Sequence, residues 1–102
     1  MIRHIVLIKF QPSVSEDEIA ALWDELHGFS GQIDGLSAVH AGRSESPEKI
    51  ERGYMHGFTI DFDSWAALAT YADHPAHKAF GGKLVANAAG GIDGILVFDL
   101  ET

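Results

Sequence analysis

The sequence predicts an α+β fold in which a βαββαβ order builds a four-stranded antiparallel sheet with helices on one face. Three observations carry this. Four runs rich in β-branched and aromatic residues, at 2–10, 36–43, 54–62 and 92–100, read as strands. A capping box and a helical apolar stripe lie between the first two runs. Two shorter helical segments, joined at His74-Pro75, lie between the last two.

Each element follows from local chemistry. In the first run Ile2, His4, Val6, Ile8 and Phe10 alternate with Arg3, Ile5, Leu7 and Lys9, and Gln11-Pro12 closes it. Ser15-Glu16-Asp17-Glu18 is a capping box, with the Ser15 hydroxyl placed to accept a free backbone N–H and Glu18 placed to reach back. Ile19, Leu22, Trp23 and Leu26 then recur at helical spacing up to a stop at Gly28. After the Asp34-Gly35 turn comes the second strand, and after the polar Ser44-Glu45-Ser46-Pro47 loop the third, with Tyr54, His56, Phe58, Ile60 and Phe62 on one face. Ser64 caps a helix from Trp65 to Ala72. Pro75 suits the first turn of another that runs towards Asn87, and it pushes His74 out of helical geometry. Gly90-Gly91 ends the helical region before the last strand.

Composition narrows the function classes. A chain of 102 residues with 46% hydrophobic and 22% charged side chains is sized and composed for one folded domain rather than a disordered segment. A net charge of -8 offers no electrostatic footprint for nucleic acid. No cysteine is present, which removes disulfides and thiolate metal sites. The apolar run Ile5 to Ile8 is too short for a signal-peptide core or a membrane span, so a cytoplasmic protein with no membrane partner is expected.

With helices on one sheet face, Ile5, Leu7, Ile95 and Val97 are expected on the uncovered face. A patch of roughly several hundred Å² of apolar surface is the level at which an interaction site becomes the better explanation. Two sheets packed face to face in a homodimer would cover it.

The first and third strands should be central neighbours. His4 and His56 then face the helices and should meet in an apolar space beneath the broken helix bearing Tyr71, His74 and His77. Imidazole titrates near neutrality and serves as general acid or base there, while the Tyr71 hydroxyl could hold or polarise a carbonyl oxygen. The alternative is that these histidines are structural hydrogen-bond partners. His27 and His40 fall at a helix end and on a strand face. His74 and His77 stand three apart, but Pro75 interrupts the helix between them and no acidic residue completes a ligand set. No metal and no cofactor is therefore assigned. The glycine-rich 90–94 stretch precedes a strand and is a turn rather than a phosphate loop. Trp23 and Trp65, at helical positions, are expected in the core.

His4 in a short first strand, Gly53-Tyr54-Met55-His56 opening the third, Tyr71 followed by His74-Pro75-Ala76-His77, and the final Val97-Phe98-Asp99 together resemble the Dabb family, the stress-responsive dimeric α/β-barrel proteins. The resemblance covers nearly the whole chain. It implies a single domain over 1–102 with a ferredoxin-like fold, two protomers packing their sheets into a barrel, and a cavity between sheet and helices. The family includes stress-associated proteins and a plant polyketide cyclase. In that cyclase the residues matching Tyr71 and His77 assist an intramolecular aldol condensation.

By this resemblance His77 is the acid/base, with Tyr71 and His56 beside it in the catalytic set, and a small partly apolar carbonyl compound is bound by His4, His56, Tyr71 and His74. Leu26 stands where the cyclase pocket has a tyrosine, so the cyclase substrate is not carried over. The other reading is a non-catalytic stress-associated dimer or hydrophobic-ligand-binding protein.

Overall fold

Burial alternates along the first run as its sequence does, and in the computed structural model, which describes residues 1–102, it forms strand β1, Ile2–Ile8. Helix α1, Glu16–His27, begins at the capping box: the Glu18 N–H donates to Ser15 Oγ at 3.1 Å and the Ser15 N–H reaches Glu18 Oε1 at 3.4 Å. Strands β2, Leu36–Arg43, and β3, His56–Phe62, follow. Helices α2, Trp65–Asp73, and α3, Pro75–Asn87, come next, and a 3-10 turn at Gly91–Gly94 leads into β4, Ile95–Glu101. The sheet order is β2-β3-β1-β4 with every neighbouring pair antiparallel, so β1 and β3 are central.

Three strands are shorter than the alternation predicts, each because backbone groups bond elsewhere. Lys9 leaves the sheet by donating its N–H to Gly94 O and accepting from Ala89 N, which leaves Phe10 with only an isolated bridge to Ala88. The approach to β3 is a loop in which Lys49 and Arg52 adopt positive φ of 55° and 58°, and the Tyr54 N–H turns back to Glu51 O. Gly90 and Gly91, with φ of 75° and 66°, wind residues 91–94 into the turn ahead of β4.

The α1 stripe of Ile19, Leu22, Trp23 and Leu26 is buried on the sheet, with Trp23 set edge-on to Phe58 at 5.8 Å. Ile8, Leu26, Ile60 and Phe62 are fully enclosed. Burying side chains of this size contributes about 1.5–3 kcal/mol each. No helix is long and apolar enough to cross a membrane.

The face assignment of β4 differs from expectation. Its register pairs Ile95 with Ile8, Val97 with Val6 and Asp99 with His4, so these residues face the helix side. Leu96, Phe98 and Leu100 pair with Leu7, Ile5 and Arg3 on the open side. A shift of one residue in register exchanges the two faces of a strand completely. The open face is nonetheless apolar: Leu7, Leu96, Phe98 and Leu100 are 40%, 47%, 61% and 45% exposed.

Candidate active site

The helices cover β1 and β3 more closely than the edge strand β4, which leaves a cavity of about 630 Å³ between α2, α3 and the helix side of β1 and β4. Thirteen of its 17 lining residues are hydrophobic, so the few polar groups decide its chemistry. These are His4 from β1, Tyr71 from α2, His77 from α3 and Asp99 from β4.

Pro75 brings two of them together. His74 cannot continue α2 and takes an extended conformation, φ -69° and ψ 135°, and its Nδ1 accepts the Ala76 N–H at 3.0 Å as the N-cap of α3. The break turns α3 so that the His77 ring lies 4.4 Å, centroid to centroid, from the Tyr71 ring. His77 Nδ1 stands 3.0 Å from Ala72 O. A carbonyl only accepts, so Nδ1 carries the proton and Nε2 keeps a free lone pair. Burial pushes the His77 pKa down from the usual imidazole value, the Ala72 bond opposes this, and His4 and Lys78 add to it.

Tyr71 is 1% exposed and packed among Phe62 at 5.1 Å, His4 at 5.9 Å and Phe29 at 6.1 Å. Burial alone raises its pKa well above the ordinary phenol range, so the hydroxyl stays protonated at neutral pH. Its hydroxyl makes no hydrogen bond within the chain, burial being the one influence on it, and the residue lies on the cavity wall. Beside it, His4 Nδ1 donates to Asp99 Oδ1 at 2.6 Å, the carboxylate coming from the residue directly across the β1–β4 pair. The carboxylate only accepts, so the His4 Nδ1 carries a proton and the ring is held in a fixed orientation.

His56 does not join them. The register sets His4 opposite Ile60 and His56 opposite Ile8, four residues along the sheet. That is about 13 Å at the strand rise of 3.3–3.4 Å per residue. The His56 Nε2 instead donates to Glu16 Oε1 at 3.0 Å, its ring stands edge-on to Phe10 at 5.4 Å, and Arg43 bonds the same carboxylate at 3.1 Å. The two imidazoles therefore do not share one space. His74 also lies off the cavity wall, its ring nitrogen committed to the cap. His27 and His40 are exposed.

Two features escaped the sequence reading. Asp99 shares a strand face with Ile95 and Val97, and an acid alternating with apolar residues is the signal that marks it. Trp65, expected in the core, is 51% exposed at the cavity mouth, where Ile92 and Val97 are also exposed, at 67% and 59%. Leu26 is wholly buried in the core and does not reach the cavity. No group of three or more His, Asp or Glu side chains is arranged to hold a metal ion.

A four-stranded antiparallel sheet with helices on one face, holding an apolar cavity that bears two histidines and a tyrosine, defines a ferredoxin-like α+β protein with a pocket of small-molecule size. The family model described as the stress responsive A/B barrel domain matches residues 2–102, and the chain belongs to that family. The stress-response A/B barrel domain-containing protein HS1 of Arabidopsis thaliana is 33% identical over 98% of this chain and 88% of its own. Olivetolic acid cyclase of Cannabis sativa is 25% identical over 78% of this chain and 79% of its own. Among solved structures, a dimeric ferredoxin-like protein of unknown function from Jannaschia sp. CCS1 superposes with a TM-score of 0.92 at 36% identity, covering 99% of this chain and 98% of that one.

Proposed function

We propose that the chain is a cofactor-independent enzyme that moves a proton on a small, partly apolar carbonyl compound, with His77 as base and Tyr71 as the donor to the carbonyl oxygen. The observation that carries this is the pairing, in one apolar cavity, of an imidazole with a free Nε2 and a protonated phenol with no partner in the chain. The likeness to a chain named a cyclase supports it.

His77 Nε2 takes a proton from the carbon beside the carbonyl. The C–H electron pair forms a C=C bond, and the carbonyl π pair moves to oxygen, where the Tyr71 hydroxyl donates to the developing charge. Return of a proton from the imidazolium to carbon regenerates the carbonyl compound, so each cycle exchanges one α-hydrogen with water through the enolate. Where the compound carries a second carbonyl, the enolate carbon attacks it, and the resulting alkoxide takes the imidazolium proton in an aldol closure. His4, oriented by Asp99, lines the same cavity and positions the compound. A buried pocket favours such a step because fixed dipoles there replace water that would have to reorganise.

Deuterium incorporation from D2O into acetylacetone, followed by NMR above the buffer background, tests the assignment. His77→Ala should abolish the catalysed exchange while the variant stays folded, and retained exchange rejects the role of His77. The alternative, a binding protein without turnover, is favoured by the predominance of apolar lining. It predicts tight binding of diketones with no exchange and no effect of His77→Ala on affinity.

We further propose a homodimer of this single domain through the open sheet face, on the strength of the exposed Leu96, Phe98 and Leu100. The similar Jannaschia protein is described as dimeric. Phe98→Asp should convert the dimer to a monomer in light scattering after gel filtration, and an unchanged mass for that variant would remove the sheet face from the interface.

A further inference from the structure

Helix α3 carries two adjacent glycines, Gly81 and Gly82, in its interior. Glycine there lowers helix stability relative to alanine, through backbone entropy. The usual compensations are absent. Neither residue has positive φ, and a Cβ built on either meets no atom within 4 Å, so neither conformation nor close packing calls for glycine. The two differ in one respect: Gly81 is half-buried and lines the cavity, whereas Gly82 is exposed and does not.

Gly81 follows His77 by four residues and precedes Val85 by four, and all three line the cavity. On a helix this puts them in a row, Gly81 one turn, about 5.4 Å, from the proposed base. Between an imidazole and a valine the cavity wall is bare backbone.

We propose that Gly81 is a specificity-determining residue: its missing side chain leaves room for a ring or branched substituent on the carbonyl compound, one helical turn from the carbon that His77 deprotonates. This rests on the reading of the cavity as a carbonyl pocket. Wide compounds use the space over Gly81, and linear ones pass without it. A side chain at 81 should narrow the pocket on that side only, because the free volume lies on the cavity face of the helix.

The test compares binding of benzoylacetone, which carries a ring, with hexanoylacetone, which carries a linear tail, by titration calorimetry with wild type, Gly81→Ala, Gly81→Leu and Gly82→Ala. All three variants should fold, and both alanine variants should melt above wild type. Gly81→Leu should weaken benzoylacetone about tenfold or more, the range expected of an overpacked site, and hexanoylacetone about twofold or less. Gly81→Ala should give the same order with a smaller loss, and Gly82→Ala should change neither affinity.

An equal loss of both compounds, or no loss in Gly81→Leu, overturns the proposal. An effect of Gly82→Ala as large as that of Gly81→Ala also overturns it, because helix flexibility rather than space would then be at issue. Calorimetry reads binding and not proton transfer, so these results leave the role of His77 standing. Failure of both compounds to bind wild type would reject the carbonyl-pocket reading together with the proposal.

Discussion

Replacing Tyr71 by phenylalanine separates a chemical role from a structural one. The ring of Tyr71 is 1% exposed and packs against His77, Phe62, His4 and Phe29. Its loss in Tyr71→Ala should cost about 3–5 kcal/mol, as for other buried aromatics. Tyr71→Phe keeps every one of those ring contacts. The hydroxyl it removes has no hydrogen-bond partner in the chain, so no internal bond is lost and a polar group leaves an apolar wall. The stability change should be within about 1 kcal/mol of zero, with gain the favoured direction.

The catalysed proton transfer should behave differently. A donor aimed at a developing oxyanion is worth about 10²–10³ in rate, so exchange into acetylacetone should fall by that factor. Urea unfolding and deuterium exchange on the same preparation read both quantities. A stability loss well beyond 1 kcal/mol would show that the hydroxyl is structural, and exchange within about twofold of wild type would show that it does not touch the reaction.

Two further outcomes follow from the placement of the histidines. His77 acts as a base in its neutral form, and burial lowers its pKa from the ordinary imidazole value of about 6.5. Exchange should therefore rise with pH through a midpoint below 6.5, following His77 deprotonation, and be level by about pH 7. A midpoint above 7 would contradict the desolvated site. His56→Ala should leave exchange within about threefold of wild type, because His56 bonds Glu16 outside the cavity, yet lower stability by about 1–3 kcal/mol through the lost bond to a carboxylate and the vacated space beside Phe10. Loss of exchange in a folded His56→Ala variant would return His56 to the reacting groups.

The helices were legible because their signals are local. Ser15 with Glu18, Ser64, and His74 before Pro75 each mark an end through contacts within a few residues, and α3 runs from Pro75 to Asn87 as read. Strand ends were less so. Lys9, Tyr54 and Ile92 alternate as strand residues, but their surroundings are set by bonds to distant Gly94, by turns at positive φ and by the Gly90-Gly91 bend.

Register was the part that alternation could not supply. Period two divides a strand into two faces without saying which face meets the helices, and on β4 the pairing and bond of Asp99 with the buried His4 show which it is. The same limit governed His4 and His56. Both lie on the helix side, as their parity implies, but only the pairing of Ile8 with His56 reveals that a strand's length separates them. Tyr71 and His77 were brought together correctly because a short-range feature, the proline break, positions both.

The central claim is that His77 offers an unprotonated Nε2 to a carbonyl compound in the cavity. Long-range nitrogen–proton NMR correlations of the His77 ring at pH 7 test it most directly, since they report which nitrogen carries the proton. The ring should be the Nδ1–H tautomer, bonded to Ala72 O, with an Nε2 resonance that moves when acetylacetone is added. An Nε2–H tautomer, a doubly protonated ring at pH 7, or an Nε2 indifferent to the diketone would contradict it.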